Sequence, residues 1–197
     1  MKLENRIKGS YRNIVKCYDT ASVDSYREGI RWYHDANLLA HTVGKLAGYE
    51  EPRVATIVGA GIISALSPQV AWNQNVQWAI QLVTQGIQKT TTNNHGKGLR
   101  ILNGEHPMSV LGGRKVLAFY KAIIAPQGSG EPVIDRHAIA VYMGRKVSER
   151  ELLMVQNDKV MDRIQKAYKK ASHELEVYHH RVQAVTWSEW RKNRGYD

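Results

Sequence analysis

The sequence predicts an all-α protein. Apolar residues recur at helical spacing through most of the 197 residues, and no stretch has the strict apolar–polar alternation of a half-buried strand. Helix-capping residues, Gly and Pro stand at the ends of the apolar runs. Apolar residue types make up 43% of the chain, which is enough to bury a core in one domain or in two lobes that share a cleft.

Four helices are predicted before residue 86. The first covers residues 3–18, and the second is capped by Ser22 and runs to about Ala47. The third begins at Pro52, because a proline is tolerated in a first turn, and Gly59 allows it to pack closely against a neighbour. The fourth follows a break at Ser67-Pro68-Gln69 and ends near Gln85.

The second half of the chain continues the helical pattern. A short helix is predicted near residues 96–103, and another follows a Gly-Gly turn at 112–113. Asp135 is a favoured helix-capping residue, and it opens a helix that runs to about residue 143. A helix over 148–156 begins with the pattern of a capping box, and residues 158–194 form two helices with a break between 173 and 180.

The bulk composition narrows the classes of function. The net charge is +10 and the pI about 9.7, which suits a polyanionic partner such as nucleic acid, although many soluble proteins are basic without binding one. Cys17 is the only cysteine, so an internal disulfide and a cysteine-rich zinc or iron–sulfur site are excluded. No secretory signal and no apolar run of about 18 residues is present, so we expect a cytoplasmic protein with no membrane partner.

Two short motifs carry most of the chemical information. Gly112 and Gly113 allow close approach to the backbone at the start of a predicted helix, where free N–H groups favour a phosphate, and Arg114 and Lys115 add positive charge. Asp135 follows twenty residues after Lys115 and provides a carboxylate at another predicted helix start. A helix rich in amide side chains, which includes Asn73, lies upstream and suggests a face that meets a polar partner.

In order and spacing, these motifs resemble those of helix-hairpin-helix DNA glycosylases of the endonuclease III superfamily. Residues 111–115 (Leu-Gly-Gly-Arg-Lys) resemble the family's hairpin, and residues 134–137 (Ile-Asp-Arg-His) resemble the segment that follows it. Residues 66–71 (Leu-Ser-Pro-Gln-Val-Ala) resemble the start of a helix that faces the DNA in that family. The resemblance covers about residues 25–194.

The resemblance implies a two-lobed helical fold with a cleft between the lobes and without the iron–sulfur cluster of some members. One lobe would combine residues 1–50 and 136–197, and residues 51–135 would form the central lobe with the hairpin. The implied partner is double-stranded DNA, bound by a monomer without a cofactor or metal in the cytoplasm of a bacterial or phage-infected cell. The implied reaction is cleavage of the N-glycosidic bond of a damaged, mismatched or modified base that has been flipped out of the duplex.

The resemblance also assigns roles to individual residues, each with a structural alternative. Asp135 would stabilise the positive charge that builds on the sugar, or it is only a helix cap. Lys115 would form a Schiff base in a lyase step, or it binds a phosphate, since the hairpin lacks the usual Pro-Gly-x-Gly pattern. Gln69 would enter the base stack, or it belongs to a simple turn. The remaining DNA-binding candidates are Asn73, Gly112, Gly113, Arg114 and Arg136.

Three alternatives to a repair-type glycosylase are left open, and the most remote is a basic all-helical scaffold that binds another protein. Some phage-borne relatives of the resembled family are linked to thymine hypermodification, and they use the same fold to displace or remake a base. A non-catalytic DNA-binding protein would keep the hairpin and the positive charge, because hairpin contacts to the phosphate backbone position a protein without chemistry.

Overall fold

The computed structural model describes residues 7–87, 89–128, 130–155 and 157–194, and these residues form helices and loops without a strand. The all-α prediction is therefore confirmed. The helices are α1 (Tyr11–Asp19), α2 (Val23–Leu46), α3 (Pro52–Leu66), α4 (Trp72–Gln85), α5 (Thr92–Leu102), α6 (Pro107–Val110), α7 (Arg114–Ile124), α8 (Arg136–Met143), α9 (Glu149–Val155), α10 (Asp158–Leu175) and α11 (His179–Arg194). Within the described ranges, no helix is both long and apolar enough to span a bilayer.

Capping side chains begin several helices where the sequence predicted a start. The Glu51 carboxylate accepts hydrogen bonds from the backbone N–H groups of Arg53 and Val54 at the start of α3. The predicted capping box before α9 is confirmed, since Ser148 Oγ accepts from the Glu151 N–H (3.4 Å) and the Glu151 carboxylate accepts from the Ser148 N–H (3.0 Å). These bonds satisfy donors that have no partner inside the helix.

Three details differ from the sequence prediction. The first helix begins at Tyr11 instead of residue 3, because Ser10 has an extended backbone and its side chain caps the helix at that point; residues 3–6 lie outside the described residues. Helix α5 begins at Thr92 instead of 96, since Thr91 accepts from the Asn94 N–H. The single turn of α6 was not predicted, and it begins at Pro107.

The chain forms two compact units. The first contains Met1–Tyr33 and Gln127–Asp197, and the second contains His34–Pro126. The boundaries predicted from the sequence are after residues 50 and 135. The boundary between Tyr33 and His34 falls inside α2, which is continuous from Val23 to Leu46.

The first unit is held together by an apolar core between α1, α8, α10 and α11. Ile14, Ala138, Tyr168 and Val182 are fully buried in it. Ile134 also belongs to this core, so the strand-like segment before Asp135 is anchored within the first unit. The Tyr168 hydroxyl donates a hydrogen bond to the carbonyl of Ala138 (3.2 Å), which fixes the start of α8 against α10.

The second unit is organised around α3, whose C-terminal two-thirds are buried. Helices α4, α5, α6 and α7 pack against α3. The close packing predicted at Gly59 is confirmed, because a Cβ placed there would lie 1.8 Å from the carbonyl oxygen of Ala40 on α2. The backbones of α2 and α3 can therefore touch only if position 59 has no side chain.

Candidate functional site

In the first unit, two hydrogen bonds hold the carboxylate of Asp135 in place. The residue is the N-cap of α8, and its Oδ1 accepts from the backbone N–H of Ala138 at 2.8 Å. Its Oδ2 accepts from the indole Nε1 of Trp187 on α11 at 2.9 Å. The predicted cap is confirmed. Because the two oxygens are held by two different helices, the partly buried carboxylate has a fixed position and orientation.

Aromatic and cationic groups surround the indole of Trp187. The ring of His137 lies 6.0 Å away with an edge-to-face geometry, and the ring of Trp32 lies 6.1 Å away. The Arg191 guanidinium lies 4.5 Å from the indole ring centroid, which is a cation–π distance. His137 therefore packs against Trp187 through its ring.

Two buried tyrosines respond to the charge of Asp135. Burial raises the pKa of Tyr33 well above its usual value, and the negative charge of Asp135 raises it further. Burial also raises the pKa of Tyr168, and the negative charge of Asp135 is a smaller cause of that rise. Both phenols therefore stay protonated, and Tyr33 donates a hydrogen bond to Gln183 Oε1 at 2.8 Å. The interior beside Asp135 thus provides neutral hydrogen-bonding groups.

Arg136, a predicted DNA contact, is exposed at the first position of α8. Its guanidinium forms an ion pair with Glu149 at 2.7 Å, and both side chains are more than half exposed. Such surface pairs contribute little to stability, about 0–1 kcal/mol, so a phosphate could replace the carboxylate at small cost. Within the described residues, no group of three or more His, Cys, Asp or Glu side chains is arranged to hold a metal ion.

In the second unit, the two glycines that the resemblance assigns to a hairpin lie in the turn before α7. Gly113 has φ +82° and is the N-cap, and no side chain caps this helix. Gly112, Gly113, Arg114 and Lys115 are all exposed. The first N–H groups of α7 therefore meet solvent beside two cationic residues, which is the arrangement that favours a phosphate. The helix before the hairpin is only the single turn of α6.

Gln69 occupies a turn with an unusual backbone. The carbonyl of Ser67 accepts a hydrogen bond from the Val70 N–H at 3.2 Å, with Pro68 second and Gln69 third in the turn. Gln69 has φ +65°, the conformation that a type II turn requires at its third residue and that usually selects Gly or Asn. Its side chain is exposed. The turn therefore presents a long polar side chain at a strained position, and such strain clusters at functional sites.

A ring contact links the start of α4 to the middle of α7. Trp72 is the first residue of α4, and its ring lies 6.2 Å from that of Phe119. Phe119 is five residues beyond Arg114, or about 7.5 Å along the axis of α7. We use the name α4/α7 start for the exposed candidate residues in the first turns of these two helices and just before them. They are Gln69, Asn73, Gly112, Gly113, Arg114 and Lys115.

One amide of α4 does not belong to the polar face that the sequence analysis suggested. Asn75 is buried, and its side-chain N–H donates to the carbonyl of Ile63 at 3.0 Å, which joins α4 to α3. Asn73, Gln74 and Gln77 are exposed. The amide-rich face is thus real but narrower than the sequence suggested.

The predicted site residues are distributed over both units. The first unit contains Asp135 and Arg136, and the second contains all residues of the α4/α7 start. The cleft between the lobes that the resemblance implies stays a prediction. Trp187 is not among the predicted site residues, and its position 52 residues beyond Asp135 offers no local signal for a role there.

Comparison with known proteins gives one match. Residues 2–194 match a family of unknown function, DUF7178. The chain belongs to this family. No curated protein and no solved structure matches the chain. The match covers α1 to α11, so it spans both Asp135 and the α4/α7 start.

Proposed function

We propose that this protein is a DNA glycosylase-like enzyme that cleaves the N-glycosidic bond of a damaged, mismatched or modified base flipped from duplex DNA. The proposed fold is that of the two-lobed helix-hairpin-helix glycosylases. The observation that carries the proposal is the Asp135 carboxylate, whose two oxygens accept from Ala138 and Trp187. A carboxylate that is fixed before the reaction stabilises developing positive charge without having to reorganise.

The chemistry follows from how the glycosidic bond breaks. As the base leaves C1′, positive charge builds on the sugar, and a nearby carboxylate lowers the energy of that state. The same carboxylate can orient or deprotonate the attacking water or amine. Asp135 suits this role because, among the residues that the structure describes, each carboxylate oxygen receives one hydrogen bond, so lone pairs stay available.

The α4/α7 start is the proposed DNA-binding region. Backbone N–H groups at the uncapped start of α7, together with Lys115, would bind one phosphate. Gln69 stands at a strained turn before α4 and would fill the space that the flipped base leaves in the stack. Flipping is required because an enzyme cannot reach the glycosidic carbon of a stacked base.

Lys115 offers a second chemical step. Its amine is exposed at the start of α7 and could attack C1′ as the base leaves, with a proton going to the base. Opening of the C1′–O4′ bond then gives the Schiff base, which would make the enzyme a glycosylase with lyase activity. The alternative role, a contact to phosphate, requires the charge of Lys115 but no covalent bond. The two roles therefore differ in whether reduction traps a covalent complex.

The deciding experiment measures free base and trapped complex in parallel. Duplexes that each carry one damaged, mismatched or modified base are incubated with the protein, with and without borohydride. We expect base release that is lost in Asp135→Asn while DNA binding is kept. A trapped complex that disappears in Lys115→Ala would assign the lyase step, whereas base release without trapping would assign a monofunctional enzyme. Base release that is unchanged in Asp135→Asn would refute the role of Asp135.

A non-catalytic DNA-binding protein is the second candidate, and one observation favours it. The two hydrogen bonds of Asp135 also tie α8 to α11, so a purely structural role would explain them. Duplex binding by the α4/α7 start without base release from any duplex in the panel would support this candidate. Absence of duplex binding at low salt would count against both candidates.

A further inference from the structure

The first unit contains a cavity that the proposed reaction does not use. Its volume is about 540 Å³, which is within the range of small-molecule sites. It lies between the end of α1, the first turns of α2, and the junction of α10 with α11. The residues that give it chemical character are Tyr18, Tyr26, Glu176, Tyr178 and Arg181.

Three tyrosine rings give the cavity aromatic walls. Tyr26 is 41% exposed and Tyr178 is 49% exposed, although both are large apolar rings. The rings of Tyr18 and Tyr26 lie 5.8 Å apart, edge to face. Burial, together with the hydrogen bond to Tyr26, raises the pKa of Tyr18, so its hydroxyl stays a neutral donor. Exposed aromatic rings in a concave wall provide stacking surfaces for a planar ligand.

Arg181 supplies the positive charge of the cavity. Its guanidinium carbon lies 5.7 Å from the centroid of the Tyr178 ring. In the part of the chain that the structure describes, Arg181 forms no ion pair with a carboxylate. The guanidinium is held over an aromatic ring with its donors available, and its fork of N–H groups matches the oxygens of a phosphate.

Glu176 lines the cavity, and its backbone has a strained, left-handed conformation. It ends α10 with φ +54°, where helices usually have Gly because other residues pay a steric cost. The N–H groups of Glu176 and Val177 bond back to carbonyls of α10, which holds this conformation in place. A glutamate kept at a glycine position supplies a carboxylate acceptor at the cavity.

We propose that this cavity binds a nucleotide whose base carries an exocyclic amino group. The base stacks on the tyrosine rings, Arg181 binds the phosphate, and the Glu176 carboxylate accepts from the amino N–H. A cationic ligand, which an aromatic cage alone would suit, is disfavoured because Arg181 would repel it. The nucleotide is either free in solution or part of a single strand, since both present the same base and phosphate. The proposal does not depend on the glycosylase reaction at Asp135.

The test is calorimetric titration of the full chain with dAMP, dGMP, dCMP and dTMP and with a short single-stranded oligonucleotide of mixed sequence. Arg181→Gln should weaken binding by about tenfold, because a charge-assisted bond to phosphate is lost. Tyr178→Leu should weaken it at least about fivefold through lost stacking. Arg27→Gln is the matched control, since it removes the same charge from an exposed position on α2 outside the cavity, and it should leave binding within about twofold.

The outcomes separate the two sources and can overturn the proposal. Binding of free nucleotides identifies a free ligand, and binding of the oligonucleotide alone identifies a strand. No binding of either at millimolar concentration overturns the proposal. Equal losses in Arg181→Gln and Arg27→Gln also overturn it, because they would reflect net charge only. If Asp135→Asn loses base release but still binds nucleotides, the glycosylase proposal and the nucleotide proposal are tested independently of each other.

The role of Glu176 is tested by the selectivity of binding among the four nucleotides. Weaker binding of dTMP than of the other three nucleotides is expected, and this difference should vanish in Glu176→Gly. The same variant should melt at a higher temperature, because glycine adopts positive φ without a steric cost. If Glu176 had only a structural role, its replacement by glycine would not remove the selectivity between nucleotides while raising the melting temperature. Equal binding of all four nucleotides by the natural protein would refute the role given to Glu176.

Discussion

The indole Nε1 of Trp187 donates a 2.9 Å hydrogen bond to Oδ2 of Asp135. The other carboxylate oxygen accepts from the backbone of Ala138, so one side chain connects the start of α8 to the middle of α11. A helix cap needs only one of these bonds. The second bond fixes the rotation of the carboxylate, and the proposed reaction at a sugar carbon would require such control.

Trp187→Phe tests this bond directly. The change keeps an aromatic ring but removes the donor, so we expect the free energy of unfolding to fall by about 1.5 kcal/mol, since the acceptor is charged. Base release should fall by about tenfold, whereas Asp135→Asn should lower it by about a hundredfold or more, because the carboxylate itself is lost. Urea unfolding and single-turnover base release measure the two effects.

A double-mutant cycle provides the control. Asp135→Asn can keep the cap through its amide oxygen, but its N–H₂ group would then face the indole N–H. The cost of Asp135→Asn in stability should therefore be smaller when Trp187 is already Phe. Equal costs in both backgrounds would mean that the two side chains do not interact in solution.

Binding to duplex DNA should depend on salt and on Lys115. Each phosphate contact releases counterions, so log K falls with log salt by about 0.9 per contact. Lys115→Gln should reduce this slope by about 1 and weaken binding for all sequences alike. Lys121→Gln removes the same charge from the last turn of α7 and should change neither quantity. Fluorescence anisotropy at several salt concentrations measures both, and equal effects of the two variants would refute a phosphate site at the helix start.

Two glycines should respond oppositely to the same substitution. Gly59→Ala places a methyl group 1.8 Å from the Ala40 carbonyl oxygen, so α2 and α3 must separate, at a cost of about 3 kcal/mol. Gly96 lies inside α5 with no atom within 4 Å of a built Cβ, so Gly96→Ala should stabilise the protein by about 0.5–1 kcal/mol through helix propensity. Thermal melting compares them. A Gly59→Ala variant as stable as the natural protein would contradict the observed packing.

Acid should remove a stabilising contribution at the start of α9. Hydrogen bonding to Arg145, and then to Ser148, lowers the pKa of Glu151 from 4.5 to about 2. A lowered pKa in the folded state stabilises the protein above pH 4.5, and this contribution is lost as the pH falls towards 2. The difference in unfolding free energy between the natural protein and Glu151→Gln should therefore be constant near neutral pH and shrink over this window.

Ser148→Ala serves as the comparison for the acid experiment. It removes the serine hydroxyl that donates to Glu151 but keeps the ion pair with Arg145. Because Arg145 is the larger cause of the lowered pKa, this variant should retain most of the pH dependence. A difference between Glu151→Gln and the natural protein that is the same at pH 6 and at pH 2.5 would refute the assignment.

Helix boundaries were largely predictable because the groups that set them are near in sequence. Ser148 and Glu151 satisfy each other across three residues, and Asp135 caps a residue three positions away. Helix α6 was not predicted, because a single turn contains too few residues to show an apolar period. The start of α1 at Tyr11 was not predicted either, since the apolar stripe continues before the Ser10 cap.

The all-α class and most helix ends can be predicted from the sequence alone, and so can the candidate roles proposed for Asp135 and Lys115. Periodicity, caps and charges act over a few residues, so local patterns reveal them. The contact between Trp187 and Asp135 and the cavity that Arg181 shares with Tyr26 are visible only in the tertiary structure. These partners are 52 and 155 residues apart in the chain, and their meeting depends on how helices pack, which no local pattern encodes.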